Sequence, residues 1–183
     1  MTRCRRFPLP LFAALVFAAL AIGVSACGYS SDSKSVVEGE SVSLGELQYT
    51  VIFSRFLNPS DNEDSAYLVW QPQLPPGHSY FGVFFKVQNE GKKPQHLPRS
   101  LEITDAGNQA FHALASESLY ALPFEGEVEP EEQIPVLDST PQEGPIEGSV
   151  VIFDLPASAS ENRPLTLHIP GPEPESAEVT LDL

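Results

Sequence analysis

The chain has 183 residues, and its 25 acidic against 10 basic residues give a formal charge of −15 at neutral pH. That balance excludes nucleic acid as a partner, because binding phosphates needs clustered Lys and Arg. With 2 Cys and 1 Met in all, the soft ligands of a copper carrier are missing as well.

The first segment carries Arg3, Arg5 and Arg6 with no acidic residue, followed by an apolar run from Leu11 to Val24 broken only by Gly23. The run is too short for a hydrocarbon core that needs about 20 residues, so the pattern is a secretory signal rather than a transmembrane helix. Val24-Ser25-Ala26-Cys27 resembles the lipobox of bacterial lipoproteins, in which a branched and two small residues precede a Cys that is lipidated before cleavage. This predicts a signal peptide over 1–26 and a lipid on Cys27. Two acyl chains hold a protein firmly where one binds only reversibly. An ordinary cleavable signal or an uncleaved anchor is the alternative. Arg5-Arg6 carries too little of the twin-arginine consensus to set the export route.

Processing sharpens the composition. Loss of Arg3, Arg5 and Arg6 leaves 7 basic against 25 acidic residues, a formal charge of −18. The processed chain then holds no Met, and its remaining Cys is acylated, so it has no disulfide and must be held by its core. Residues 27–40 are small and polar and read as the lipidated Cys with a flexible tether. Residues 41–183 have the length of one domain.

Within that domain the apolar period is two. Leu47, Tyr49, Val51 and Phe53 form a strand with one buried face, and Tyr80 to Asn89 form the strongest strand, placed centrally in a sheet. Asn89-Glu90-Gly91 and Lys92-Lys93-Pro94 supply its turn. Leu101 and Ile103, the four residues Asp105 to Asn108, and Gln109 to His112 read as a hairpin. Ala113 to Ala121 is a short helix or a loop. Val150 to Leu155, Leu165 to Ile169 and Val179 to Leu183 add three strands, each bounded by Pro, Gly or Ser. Seven or more short strands and 18 Pro in the chain predict an all-β, Ig-like antiparallel sandwich without the disulfide of antibody domains.

Gly45 to Val51, Tyr80 to Gly91, Leu101 to Asn108 and Gly144 to Leu155 together resemble the bacterial Ig-like domain of unknown function common in actinobacterial and Gram-positive lipoproteins. That family is similar in architecture to the mycobacterial secreted immunoprotective antigen. The resemblance covers most of the domain and rests on turns and core alternation. It implies an exported, non-enzymatic module with no catalytic residues to transfer. The length and acidity of Glu117 to Glu147 depart from the family pattern.

In that acidic stretch Glu125, Glu127, Glu129 and Glu131 would point one way if extended. Four such carboxylates are weak candidates for Ca²⁺ or for a basic partner segment, against the plainer reading of a solvated, self-repelling loop. Asp61-Asn62-Glu63-Asp64 reads foremost as a turn. His78, His96, His112 and His168 lack the close spacing of a zinc site. No Gly-x-Ser-x-Gly elbow or His-Glu-x-x-His helix occurs. Tyr67, Trp70 and Tyr80 flank Gln71 to His78, which Pro72, Pro75, Pro76 and Gly77 hold extended. Such a loop suits contact with glycan or protein, although the lone Trp of a sandwich reads first as core or edge packing.

The reading that follows is a lipid-anchored module on the extracytoplasmic face of the cell membrane, non-catalytic, without a cofactor, binding or scaffolding a protein or envelope partner. The alternatives are a Ca²⁺-dependent adhesion or sensing domain using the acidic loop, and an accessory of an envelope enzyme with an unrecognised site.

Overall fold

The alternating stretch from Tyr80 to Gln88 becomes the central strand of the protein. The computed structural model describes residues 32–182, so the expected signal peptide, Cys27 and the first tether residues lie outside the described residues. In chain order the strands are β1 (Asp32–Val37), β2 (Ser41–Leu44), β3 (Leu47–Leu57), β4 (His78–Asn89), β5 (Gln95–His96), β6 (Glu102–Thr104), β7 (Ala110–Leu114), β8 (Glu127–Val128), β9 (Gln133–Ile134), β10 (Ser149–Pro156), β11 (Leu165–Pro170) and β12 (Glu175–Leu181). Two short helices, α1 (Asn62–Tyr67) and α2 (Ala157–Glu161), interrupt them.

The strands follow one another as β1-β12-β11-β6-β7-β10-β4-β3-β2, with β9 beside β4. This path folds over into two layers because β7 changes partners. Its first half pairs with β6 and its last two residues, Ala113 and Leu114, pair with Phe153 and Ile152 of β10. The first sheet is therefore β1-β12-β11-β6, and the second is β10-β4-β3-β2 with β9. Between them Phe81, Val83, Phe85 and Val87 of β4 face Ile103, Leu167, Ile169 and Val179 in one apolar core. The fold is the all-β sandwich that the periodicity predicts.

The structure departs from the sequence reading in the first and last strands and decides between helix and loop after Ala113. Asp32–Val37, placed in the tether, is a strand that pairs in parallel with β12, from Asp32 opposite Glu175 to Val37 opposite Thr180. Its sequence is polar because only alternate residues are half-buried at this edge. The chain after Ala113 forms no helix; it ends β7 at Leu114 and continues as a loop. The last strand begins at Glu175, four residues before the expected start.

The expected hairpin turn is built on Asp105. Its Oδ1 accepts from Gly107 N at 2.8 Å and from Gln109 N at 2.9 Å, and its Oδ2 accepts from Asn162 Nδ2 at 3.3 Å. The Gln109 N–H bond, with further help from Asn162 and Gly107, holds this carboxyl below the usual carboxylate range. A depressed native value contributes stability in full above the unfolded-state value, near 3.9, and loses it as pH falls through the native one. Asp105→Asn keeps the two bonds to Gly107 N and Gln109 N, removes the charge and gives up the bond from Asn162. Its thermal midpoint is expected to lie below that of the wild type at pH 7, and the gap is expected to close below about pH 4. A gap independent of pH from 7 to 3 would refute the charge argument.

Candidate functional site

Chemistry-bearing residues are spread across the sandwich. His78 Nδ1 lies 2.7 Å from Asp154 Oδ1, on a cleft of about 400 Å³ that Leu57, Gln71, Leu74 and Tyr80 also line. Among the described residues no Ser, Thr or Cys side chain is hydrogen-bonded to that imidazole. His96 stands 3.7 Å from Glu127, His112 3.2 Å from Glu102 and His168 3.9 Å from Glu178. The last four residues form one row across the first sheet, since Glu102 is in register with both His112 and His168, and His168 with Glu178. They do not converge. Among the described residues no group of three or more His, Cys, Asp or Glu is placed to hold a metal ion.

The four glutamates of the acidic loop are separated. Glu125 and Glu131 take positive φ of 58° and 64°, which breaks the extended run that would align them. Glu125 turns to Arg99, with Oε1 at 3.0 Å from Nε, and Glu127 to His96.

One motif escaped the sequence reading. Ser31 and Lys34 have the Ser-x-x-Lys spacing of a serine nucleophile. Lys34 Nζ, however, donates to Ser43 O at 2.8 Å and to Glu175 Oε2 at 2.9 Å. The Lys34 ammonium, then Gly45 N–H, holds the Glu175 carboxyl below its usual range. These bonds join β1, β2 and the start of β12, a structural clasp between the two edges of the folded sheet.

The outer face of the second sheet is different. Asp61 caps α1 by accepting from Glu63 N at 2.8 Å and Asp64 N at 3.5 Å, so the stretch read as a turn is a helix of six residues. Asp64 is buried, accepts Arg55 Nη1 at 3.0 Å and Nη2 at 2.5 Å, and also takes Asn58 N at 2.7 Å. This fixes α1 over β3 and β4, where Tyr67 packs edge-on against Phe84 at 5.2 Å and Tyr120 at 5.0 Å. Burial raises the Tyr67 phenol above its usual range, and its hydroxyl has no hydrogen-bond partner among the described residues.

Directly after α1 the chain turns at Trp70, whose φ is 57°. The expected packing role fails here: Tyr67 and Leu68 take the inward positions and Trp70 is left 84% exposed. Gln71 Nε2 donates to Ala115 O at 2.9 Å and Ser118 Oγ to Ala66 O at 2.7 Å, while Tyr80 OH donates to Pro72 O. The Trp70 loop is thereby fastened to the loop carrying Leu119, which is 80% exposed. A bulge between Val51 and Phe53 adds exposed Ile52 and Phe53 to this face, with Phe53 against Phe84 at 6.4 Å. The loop after β9 brings exposed Val136 and Leu137 and returns to the face at Ile146. Six of the eight large exposed apolar side chains thus belong to the elements that cover one face. Isolated exposed apolar residues need no explanation, and it is their grouping on these elements that makes this face the candidate site.

No protein-family model matches the chain, and no curated protein matches it. Two solved structures share its fold. An uncharacterized β-sandwich protein from Clostridium difficile 630 is similar at a TM-score of 0.50 and 14% identity, over 83% of this chain and 96% of that one. The yjhA protein from Bacillus subtilis is similar at a TM-score of 0.50 and 12% identity, over 81% of this chain and 99% of that one. At such identities the likeness is one of fold.

Proposed function

We propose that the protein is a non-catalytic binding module, held by a lipid on Cys27 at the extracytoplasmic face of a bacterial membrane, that engages a protein or envelope partner through the outer face of its second sheet. The exposure of Trp70 carries this reading, since an indole left exposed on a loop that is itself fastened down is the side chain type that dominates interface energetics. The basic, apolar and Val24-Ser25-Ala26-Cys27 segments support the anchor, as does the resemblance to Ig-like domains of bacterial lipoproteins.

Anchor and face suit each other geometrically. Residues 28–31 separate Cys27 from β1, so Asp32 would lie within about 18 Å of the lipidated residue. Asp32 N donates to Pro174 O, and Glu90 N to Glu46 O, at the end where β1, β3 and β12 begin and β4 finishes. The loop bearing Trp70 joins the opposite ends of β3 and β4 and doubles back over the sheet, with Tyr67 on Phe84, five residues before β4 ends at Asn89. Tethered at that end, the module would hold the Trp70 loop about 17 Å along the strand from the anchored edge.

The test is photo-cross-linking in cells from a reactive residue at position 119, with one at position 163 on the loop before β11 as reference. Position 119 is expected to capture a product of defined mass that position 163 does not. Cys27→Ser is expected to move the protein out of the membrane fraction and abolish the product. Membrane association independent of Cys27, or equal capture from both positions, would overturn the proposal.

A further inference from the structure

The charges around the apolar face point to the chemistry of its partner, an inference that rests on the binding-module reading and deepens it. The loops bearing Leu119, Leu137 and Ile146 also bear Glu117, Asp138, Glu143 and Glu147, all four exposed. Among the described residues none of these four is in an ion pair. From residue 100 to residue 162 the chain contains no Lys or Arg. Strands β3 and β4 carry two basic residues. Arg55 is committed to Asp64 and Glu63, and Lys86 is an exposed side chain two residues beyond Phe84 on β4. The loops that bring the exposed apolar side chains therefore also bring four carboxylates against one exposed cation.

Each possible occupant meets those carboxylates differently. Anionic lipid is repelled, and a second copy of this chain would oppose its own carboxylates. A partner with cationic groups flanking an apolar stretch gains at both places, because Trp70 and Leu119 supply the contact area and the carboxylates supply steering and register. We propose that the Trp70–Leu119 face docks a cationic segment with apolar anchors belonging to a partner protein.

Trp70, the one Trp in the chain, is a built-in reporter, since covering an exposed indole shifts its emission to the blue. The probes are a synthetic Lys/Leu peptide, a Glu/Leu peptide of the same length, phosphatidylcholine vesicles, and the protein itself at rising concentration. The Lys/Leu peptide is expected to shift the emission while the other three do not. Leu119→Ser is expected to weaken the peptide about fivefold. Neutralising the four carboxylates (Glu117→Gln, Asp138→Asn, Glu143→Gln, Glu147→Gln) is expected to weaken it about tenfold. A charge-matched control, Glu125→Gln, Glu129→Gln, Glu131→Gln and Glu132→Gln, is expected to change it less than twofold. All substituted positions are exposed, and each variant's thermal midpoint verifies that it folds.

Equal weakening by both quadruple variants would show attraction to overall charge and overturn the proposal. A shift with vesicles, the Glu/Leu peptide or self-association, and none with the Lys/Leu peptide, would keep the face as an interface and overturn the cationic partner. No shift with any probe would overturn both.

Discussion

Asn89→Ala is expected to lower the thermal midpoint of the domain by about 10 °C or more. Asn89 ends β4 with no exposed surface and satisfies its whole side chain. Its Nδ2 donates to Lys93 O and to Val128 O, both at 2.8 Å, and its Oδ1 accepts from Gly91 N at 2.9 Å. Backbone bonds add to the knot, since Asn89 N donates to Glu132 O at 2.9 Å and Glu131 N to Asn89 O at 3.1 Å. One amide thus joins the central strand to the turn after it and to the acidic loop. Truncation leaves the Gly91 N–H without its partner at a cost of about 1–3 kcal/mol, removes the bonds to Lys93 O and Val128 O at about 1 kcal/mol each, and opens a small cavity.

The sum is about 3–5 kcal/mol, and a domain of this size loses some 2–4 °C for each. Unfolding followed by circular dichroism reads it, because Trp70 is exposed in the native state and reports unfolding poorly. Asn89→Asp separates hydrogen bonding from shape. It keeps the acceptor for Gly91, loses both donors and places carboxylate oxygens against two carbonyls, so it should be at least as destabilised at pH 7 and partly recover in acid as the carboxyl protonates. A loss below about 1 kcal/mol for Asn89→Ala would show that water replaces the amide.

Asn89 also shows how far a sequence can be read. The alternation from Tyr80 to Gln88 is visible because both faces of β4 are specified, one by Phe81, Val83, Phe85 and Val87 and the other by Tyr80 and Phe84. The turn after it is equally visible in its Asn and Gly, and so is the turn at Asp105. The partner strands are another matter. β1 has no apolar alternation that names β12, and a parallel pairing across some 140 residues leaves no local signal. Helix α1 is too short for a period, although Asp61 and the acids behind it are its capping signal.

The binding face was half legible for a related reason. The Pro-rich loop and its aromatic neighbours stand out in the sequence, but which aromatic is buried depends on the positive φ at Trp70 and on Tyr67 reaching Phe84, both set by tertiary packing. The acidic loop left two readings open, because composition does not fix backbone angles. The positive φ at Glu125 and Glu131 and the pairing with Arg99 disperse its carboxylates, against the weaker reading of a shared site.

Asp64→Ala is expected to cost about 2–4 kcal/mol and to loosen the binding face before the rest of the sandwich. Breaking a buried pair by removing one member strands the other, and Asp64 is 3% exposed while holding both Arg55 nitrogens and Asn58 N. The cost stays short of the full range for buried pairs because Arg55 is partly solvated and Glu63 stands by at 3.5 Å. Since Asp64 also lies in the first turn of α1, its loss frees the helix whose Tyr67 underlies the Trp70 loop. Hydrogen exchange should therefore rise first in residues 58–77, with β11 and β12 protected until global unfolding. Arg55→Met with Asp64→Leu removes both charges and refills the volume, so the double variant should recover much of the loss. If each single variant cost less than about 0.5 kcal/mol, the pair would behave as a surface ion pair, and the placement of Trp70 would rest on the Tyr67 rings and the Ser118, Gln71 and Tyr80 bonds.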